Sequence, residues 1–512
     1  MPETLTAAAP LPASSPPAAG FIRWIERQPR TAFGCFLAAH FVVWSVLPAL
    51  VYANLPLDLI EALVYGREWQ LGYDKLPPLP WWLIEAVHRI FGADIAYYAT
   101  AQIAVLIAFA VVFALARPLV GATGALVAVL IVDGLHYFQY TAVKFNHDVI
   151  QLPFWALAGF AFHAALKRGR LGSWVLLGFA FGAALWAKYF VIVLAAPYAL
   201  FMLLDRQARR AWATPGPYIG LAVALLIAAP HVAWLFQTDF LPFAYASHRA
   251  TAVRGWFDHI LHPIMFLSSQ IFFLLPSFAI AAGLFWPPDG KRSSADPFDR
   301  RIVTLLAFGP ALGTIALSAV SGRGAVAMWG YPLWLFLGLW LVMAARVNLD
   351  STRLTPIIVT WGAIFAVFAV AFVANYTVLP YIDHRYRAVL FPGDQLGRIL
   401  TARFREMTCQ PPDCAPLRYV IGSIWDGGNL SHYSPDQPRA LIDGLPKRTP
   451  WIDLADLRDK GAILVWTQSD PKQLPAAFAA IAPGAELGTP FDLPMRRGDG
   501  TVHVGWAILK PQ

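Results

Sequence analysis

Charged side chains are scarce in this chain of 512 residues: they account for 14% of it, whereas 58% of the residues are hydrophobic and the mean hydropathy is +0.53. That shortage excludes an ordinary soluble protein. The apolar residues come in runs of roughly 20, which is the length that a helix needs to cross a bilayer. The sequence therefore predicts a polytopic membrane protein.

Cysteine is rare as well, with three residues in the chain. Cys35 lies inside the first apolar run and is expected to be a small core residue. Cys409 and Cys414, in the segment TCQPPDC of the polar tail, would close a small disulfide loop if that tail is extracytoplasmic. The Pro-Pro pair within the ring makes this geometry demanding, so the sequence leaves the disulfide open.

No cluster of basic residues forms a nucleic-acid-binding stripe, although the net charge is +8. Lysine and arginine fall instead in the short loops between apolar runs, where they report topology. The loops assigned to the cytoplasm contain Arg23, Arg27, Arg30, Lys167, Arg168, Arg170, Arg206, Arg209, Arg210, Lys291, Arg292, Arg300 and Arg301. This bias predicts a multi-pass membrane protein with a cytoplasmic N-terminus.

About eleven membrane spans are expected by the length rule. The apolar runs cover residues 31–53, 95–116, 120–138, 148–166, 172–187, 189–204, 216–237, 260–286, 302–320, 328–345 and 355–376. An odd number of spans places the polar tail, from about Thr377, in the periplasm. Residues 1–20 are rich in Ala, Pro and Ser and are expected to be disordered, since they lack the charged start and apolar core of a signal peptide.

The tail, residues 377–512, differs in character from the rest of the chain. Its β-like runs RYVIGSIW, AILVWT and VHVGWAIL alternate with helix-like segments. We therefore predict an all-α polytopic membrane domain over residues 21–376, with external juxtamembrane helices, followed by a small periplasmic α/β domain. No internal repeat of the kind found in many transporters is visible.

The first external stretch, residues 54–91, carries most of the candidate chemistry. Asp58 and Glu61 are spaced at i and i+3, so a helix would present both carboxylates on one face. Lys75 follows, between a Gly-Tyr turn and a Pro-Pro pair. A carboxylate beside a bilayer can act as general base on an acceptor hydroxyl or amine. The alternative is a pair of solvated carboxylates on an interfacial helix.

A second group lies in KFNHDVIQLPFW, which begins at Lys144. Asn146, His147 and Asp148 stand where a helix would start, so Asp148 could simply cap that helix. Together with Lys144 these residues could instead bind an anionic head group or position a sugar. A metal held by His147 and Asp148 is the weakest interpretation, because two adjacent ligands are poor grounds for a metal site.

Several cations on the external side run against the charge bias. The loop before the eighth span contains Tyr245, His248, Arg249 and Arg254. Arginines in such a place either bind phosphate through bidentate hydrogen bonds or contact lipid headgroups. Arg323 lies in a Gly-bounded turn, and Lys188, in the turn WAKYF, is a cation at membrane depth that is either functional or snorkels to the surface.

This pattern resembles membrane glycosyltransferases of the GT-C fold, in the family 39-like group that includes protein O-mannosyltransferases and the lipid A aminoarabinose and galacturonic acid transferases. The resemblance covers about residues 21–376 and rests on Asp58, Glu61, and the runs GYDKLPPLPWWL, NHDVIQLPFWALA, APHVAWL and YASHRA. The acidic pair here is D-L-I-E where many members have adjacent D-E, and Leu76 separates Lys75 from Pro77.

The resemblance implies inverting transfer of a sugar from a polyprenyl-phosphate donor to a glycolipid, polysaccharide or protein acceptor at the periplasmic face of the bacterial inner membrane. It implies Asp58 as general base, assisted by Glu61, and Lys75 on the donor phosphate, with Asp148 as a second carboxylate of the cavity. No cofactor is required, although a divalent metal is possible. Further phosphate ligands would be Arg249 and Lys188. Substrate-positioning roles are assigned to Asn146, His147, Tyr245, His248 and Arg323.

Two other classes of function remain open from the sequence. The main alternative is a transporter or flippase of lipid-linked sugars, which would place polar groups in broken helices at the bilayer midplane. The ionisable residues here concentrate in loops on one external face, which favours surface chemistry. An oligosaccharide ligase or polymerase would use a similar fold with another acceptor. The small tail favours a bacterial glycolipid or envelope polysaccharide as acceptor.

Overall fold

The computed structural model describes residues 17–243, 253–286, 296–409 and 414–512. Its helices are α1 Pro17–Arg27, α2 Pro29–Val51, α3 Leu57–Gly66, α4 Leu79–Phe91, α5 Asp94–Asp133, α6 His147–Ile150, α7 Leu152–Arg168, α8 Leu171–Ala187, α9 Ile192–Leu204, α10 Gly216–Gln237, α11 Asp258–Phe285, α12 Pro297–Ser321, α13 Leu337–Ala345, α14 Ser351–Thr377, α15 Gly393–Thr408, α16 Asp426–Tyr433, α17 Leu454–Lys460 and α18 Ala476–Ile481. Its strands are β1 Tyr419–Gly422, β2 Arg439–Ile442, β3 Ala462–Trp466, β4 Glu486–Leu487, β5 Phe491–Pro494 and β6 Thr501–Leu509.

Seven helical segments in the described part are long and apolar enough to cross a membrane: α2, α5, α6 with α7, α10, α11, α12 and α14. Two more helices, α8 and α9, are apolar but shorter, with 17 and 13 residues. The chain is therefore a multi-pass, mostly helical membrane protein, as predicted. Helix length alone does not establish the expected count of eleven spans.

Two of the expected spans, 95–116 and 120–138, fall mainly on α5, which folds back on itself at Gly121. His40 shows the reversal: its Nε2 lies 3.2 Å from Gln102 Oε1, and its Nδ1 lies 3.1 Å from Asp133 Oδ1. On a straight helix those two partners would be about 46 Å apart. Gly121 has a φ of 75°, which glycine adopts without strain. The two arms of α5 are therefore antiparallel neighbours.

Two boundaries differ from the expectation. Only the α13 part of the apolar run 328–345 is α-helical, because Pro332 lacks the amide hydrogen that a helix interior needs and the residues before it form a short 3-10 turn. At the other end of the chain, α1 begins at Pro17, so residues 17–20 are helical rather than disordered. Proline is favoured at a first helical position, and the buried Ile22 and Ile25 anchor α1 to the core.

The residues after α14 form a mixed sheet in the order β2-β1-β3-β6-β4, with β5 paired to β6. Strand β1 is parallel to β2 and β3, and β6 is antiparallel to β3. Val420, Ile463 and Val465 on one face belong to the main core shared with the helices, whereas Ile421 and Leu464 on the other face belong to a separate core. This alternation follows the period of two of a strand. The sheet therefore docks on the helical part through one face.

The docking surface lies on the hairpin of α3 and α4. Helix α16 packs on α3. Two ion pairs flank this contact, Arg439 with Glu68 at 2.5 Å and Arg448 with Asp74 at 2.7 Å. The hairpin is thus held between the membrane helices and the sheet domain. A disulfide between Cys409 and Cys414 closes the segment that leads into the sheet.

Candidate active site

A cavity of about 1230 Å³ extends from α3 along α8, α9 and α10. Its polar end is lined by Asp58, Glu61, Lys75, Asn146, His147, Asp148 and Lys188. The rest is apolar and continues as far as Trp174, near the opposite end of α8 from Lys188. The helical rise between those two residues is about 21 Å. Small-molecule sites usually measure about 300–1,000 Å³, so this is a large cavity with a long apolar arm.

The acid pair is positioned by α3, which begins directly after Pro56. Asp58 lies in the first turn, where the helix dipole favours a negative charge. Glu61 follows one turn later and is buried, with 3% of its surface exposed, whereas Asp58 is half-buried. Both carboxylates line the cavity. The helix thus brings two acidic groups to one face of the polar end.

Lys75 reaches the same face from the loop between α3 and α4. Its Nζ donates to Glu61 Oε2 at 2.5 Å. The turn that follows Lys75 is held by His147, whose Nε2 lies 3.0 Å from the Pro77 carbonyl oxygen. A cation and a carboxylate are therefore paired beside Asp58. The loop that carries the cation is held by His147, which lies on the same segment as Asp148.

Hydrogen bonds from α3 and from the sheet domain fix Asp74, the residue before Lys75. The Tyr65 hydroxyl donates to Asp74 Oδ1 at 2.6 Å, and Arg448 Nε donates to Asp74 Oδ2 at 2.7 Å. Tyr73 adds a hydrogen bond of 2.7 Å from its hydroxyl to the Tyr65 carbonyl oxygen. Both oxygens of Asp74 are thus occupied, and the backbone that presents Lys75 is tied to the sheet domain.

Asn146 links the second segment to Asp58. Its side-chain oxygen accepts from the Val149 amide at 3.1 Å and so caps α6, while its Nδ2 donates to Asp58 Oδ2 at 3.3 Å. The capping role considered for Asp148 is therefore wrong: Asn146, two residues earlier, has the extended backbone that a cap requires. Asp148 is left to face the cavity.

A second ion pair lies across the polar end from Glu61 and Lys75. Lys188 Nζ donates to Asp148 Oδ1 at 2.5 Å, and Gln151 Nε2 donates to the same oxygen at 2.9 Å. Lys188 interrupts the helical run between α8 and α9 with an extended backbone, and its Nζ lies 5.7 Å from the centre of the Trp329 ring. It is buried and ion-paired, so it does not snorkel to the surface.

Burial sets the electrostatics of the acid pair. It raises the pKa of Asp58 above the ordinary carboxyl value, and the charge of Lys75 and the hydrogen bond from Asn146 partly offset this effect. Burial likewise raises the pKa of Glu61, again opposed by Lys75. A carboxylate that holds its proton more tightly is a stronger base. Across the described ranges, no three His, Cys, Asp or Glu side chains are grouped to hold a metal.

Some of the expected site residues are not brought to the cavity. Arg323 is exposed and does not line it, and the same is true of Arg254, whose backbone amide donates to Asp258. Lys144 is not at the wall either, although its charge acts on Asp58. Tyr245, His248 and Arg249 lie outside the described residues. Among its described side chains, the loop before α11 contributes the Phe243 ring to the cavity wall but no arginine.

Tyr189, which lines the cavity, and His231, which lies behind it, were missed as candidates. Tyr189 lines the wall next to Lys188, and its hydroxyl lies 2.9 Å from His231 Nε2. His231 is buried in α10, and its Nδ1 lies 2.7 Å from the Leu71 carbonyl oxygen in the loop that leads to Lys75. The signal was present in the sequence, because an imidazole inside a run of 22 mostly apolar residues is a functional candidate by default.

Comparison with known proteins defines the class. Residues 75–234 match the family described as dolichyl-phosphate-mannose-protein mannosyltransferase. The fold is similar to the crystal structure of ArnT from Cupriavidus metallidurans bound to undecaprenyl phosphate, with a TM-score of 0.61, 15% identity, and coverage of 93% of this chain and 97% of that one. The apo structure of the same protein has a TM-score of 0.60, at 16% identity and with coverage of 94% and 98%. The resemblance seen in the sequence is confirmed: the chain is a glycosyltransferase with a GT-C-like fold, and it is similar to the family 39-like group.

Particular relatives come from Rhizobium johnstonii. The lipopolysaccharide core galacturonosyltransferase RgtA is 25% identical over 528 residues, which cover 95% of this chain and 99% of RgtA. The lipid A galacturonosyltransferase RgtD is 28% identical over 214 residues, or 40% of this chain and 44% of RgtD. The first of these matches extends over the sheet domain as well as the helices.

Proposed function

We propose that this protein is an inverting glycosyltransferase that moves a sugar from a polyprenyl-phosphate donor to an envelope glycolipid at the periplasmic face of the inner membrane. One observation carries the proposal: two carboxylate–lysine pairs meet at the polar end of a cavity whose apolar arm follows α8 for about 21 Å. That combination suits a ligand with a charged phosphate head and a long hydrocarbon tail.

The donor phosphate would bind between Lys75 and Lys188. Each ammonium now lies 2.5 Å from a carboxylate, so an incoming phosphate competes for a cation that is already ordered. Cations on the phosphate stabilise the charge that develops as the bond to the sugar breaks. The prenyl chain would fill the apolar arm toward Trp174.

Asp58 would act as the general base. The acceptor hydroxyl oxygen forms the new bond to the anomeric carbon, the bond from that carbon to the phosphate oxygen breaks, and polyprenyl phosphate leaves. The acceptor proton passes to Asp58, whose raised pKa suits proton uptake. Asn146 holds Asp58, and Glu61 orients Lys75. A single displacement of this kind inverts the anomeric centre.

The relatives support this choice of substrates. ArnT was crystallised with undecaprenyl phosphate bound, and RgtA and RgtD are named for the lipopolysaccharide core and lipid A. The basic loops support the orientation: Lys167 lies at the end of α7, about 29 Å along α6 and α7 from Asp148, which is close to the thickness of a bilayer core. Lysine and arginine at that end favour a cytoplasmic location, opposite the cavity's polar end.

The test uses purified full-length protein in lipid nanodiscs, with a radiolabelled polyprenyl-phosphate sugar and a bacterial glycolipid as acceptor. We expect label in the glycolipid, and a loss of about 100-fold or more for Asp58→Asn, because general-base catalysis contributes about 10²–10⁴. Asp94→Asn, an exposed carboxylate at the start of α5, is the matched control. A flippase would transfer no sugar in this assay, and in sealed vesicles it would move the donor across the membrane. Full activity of Asp58→Asn would refute the base role.

A further inference from the structure

A second cavity, of about 290 Å³, lies beside the α3–α4 hairpin, where the hairpin meets α16 of the sheet domain. It is separate from the large cavity, and none of its lining residues has a role in the proposed transfer. We call it the Arg67 pocket. It is lined by Leu63, Val64, Arg67, Glu85, His88, Arg89, Ser431, His432 and Gln437.

Arg67 brings a cation to this pocket, where Glu68 and Glu85 act on it from a distance but form no ion pair with it. Its Nη1 donates to Ser431 Oγ at 3.1 Å and to the Pro438 carbonyl oxygen at 3.2 Å. Those two bonds use two of the five N–H groups of a guanidinium. The neighbouring carboxylates have other partners, since Glu68 pairs with Arg439 and Glu85 with Arg89. Within the part of the chain that the structure describes, no carboxylate forms an ion pair with Arg67.

Two imidazoles complete the wall. The rings of His88 and His432 lie 5.9 Å apart, and His88 Nδ1 is 2.7 Å from the Tyr97 hydroxyl. His432 forms ring contacts but no hydrogen bond with any described residue, although burial lowers its pKa to about 4 and so keeps it neutral. A neutral imidazole offers one donor and one acceptor to a ligand hydroxyl.

A purely structural role for Arg67 explains its two bonds to the sheet domain. It does not explain why a cavity remains beside the guanidinium, with a second arginine and a partly exposed imidazole on its wall. Arg67 is half-buried and forms no described ion pair, so part of its desolvation cost is unrecovered, and a bound anion would offset that cost. The small volume excludes a prenyl or acyl chain but admits a sugar ring that bears an acidic group.

We propose that the Arg67 pocket binds an oxyanion, phosphate or carboxylate, carried by a saccharide of the acceptor. The assignment to the acceptor rests on the proposed function. Asp58 and Arg67 lie near opposite ends of α3, about 13 Å apart along the axis. A short oligosaccharide can span that distance, so a residue held at Arg67 would present a neighbouring hydroxyl at Asp58.

The test is binding to the full-length protein in nanodiscs of neutral lipid, without any sugar donor. The probes are a bacterial lipid A, the same lipid A after phosphatase treatment, and inorganic phosphate. We expect phosphorylated lipid A to bind at least tenfold more tightly than the dephosphorylated form. Arg67→Gln should weaken that binding about tenfold to a hundredfold, as expected for a lost charge-assisted contact. Arg458→Gln, at an exposed site in α17, is the control and should bind like the wild type.

Because Arg67 also ties α3 to the sheet domain, a second variant keeps the test independent of folding. Gln437→Glu replaces an amide by a carboxylate of the same size at the exposed rim of the pocket, and it leaves the hydrogen bonds of Arg67 in place. It should also weaken binding of the phosphorylated lipid. Equal binding of both lipids by the wild type, or wild-type binding by both variants, would overturn the proposal. Tight binding of inorganic phosphate with no preference between the lipids would overturn the assignment to the acceptor.

A separate transfer assay, with the labelled polyprenyl donor, distinguishes this result from a failure of the proposed function. If the wild type binds phosphorylated lipid A through Arg67 but transfers no sugar to any acceptor, the pocket stands and the transfer proposal fails. If transfer occurs while the two lipids bind equally, the transfer proposal stands and the pocket fails.

Discussion

Replacing Lys188 by methionine leaves the Asp148 carboxylate buried without the cation that now lies 2.5 Å from its oxygen. Only 10% of the Lys188 side chain and 9% of the Asp148 side chain are exposed. Removing one partner of a buried pair costs about 3–5 kcal/mol, because an uncompensated charge remains. We therefore expect Lys188→Met to lower the thermal unfolding midpoint of the purified protein and to abolish transfer.

The double variant Lys188→Met with Asp148→Asn separates stability from function. It removes both charges at nearly constant volume, so the unfolding midpoint should return close to that of the wild type. Sugar transfer should stay about 10- to 150-fold lower, since the donor phosphate has lost a charged contact of about 1.5–3 kcal/mol. The assay is initial-rate kinetics with varied polyprenyl-phosphate sugar.

The control is Lys167→Met, which removes an ion pair with Asp299. Lys167 lies at the end of α7 that is farther from Asp148 and the cavity's polar end. This variant should leave the KM for the donor unchanged. Recovery of wild-type kinetics by the double variant would refute the phosphate role of Lys188, because it would show that the lysine serves only to neutralise Asp148.

Two further predictions concern the polar end. Arg448→Gln removes the cation that fixes Asp74 next to Lys75, so the KM for the donor should rise about tenfold with little change in kcat. The control variant Arg458→Gln should leave both constants unchanged. An unaltered KM in Arg448→Gln would contradict the positioning role of Arg448. Burial raises the pKa of Asp58, so as the pH falls through that raised pKa the base gains its proton and kcat/KM declines. The pH profile of kcat/KM measures this, and a midpoint at or below the ordinary carboxyl value of about 4 would show that Asp58 is not the group that titrates.

Local patterns in the sequence were sufficient for the class of fold. The apolar runs predicted membrane helices because a segment without water must satisfy its own backbone hydrogen bonds. Alternating runs such as AILVWT predicted strands, and this one became β3 at the centre of the sheet. The i and i+3 spacing of Asp58 and Glu61 predicted one shared helical face, and both line the cavity. Each of these features depends on residues within one or two turns of each other.

Other features depended on contacts between distant segments. The sequence indicated two apolar runs near Gly121 but not that His40 would bridge the two arms of α5. It indicated Lys188 as a membrane-depth cation but not its pairing with Asp148, which comes from another helix. It offered no sign that Arg448 would reach Asp74.

Within each segment, the amino-acid sequence was therefore enough to predict apolar helices, strands, and two acidic residues on a shared helical face. These outcomes follow from hydrophobicity and periodicity within each segment. Only the tertiary structure decided which lysine pairs with which carboxylate and that a second cavity lies beside Arg67. Such pairings arise where helices and the sheet domain pack together, and whether a cation such as Arg67 forms an ion pair depends on distances that no local pattern encodes.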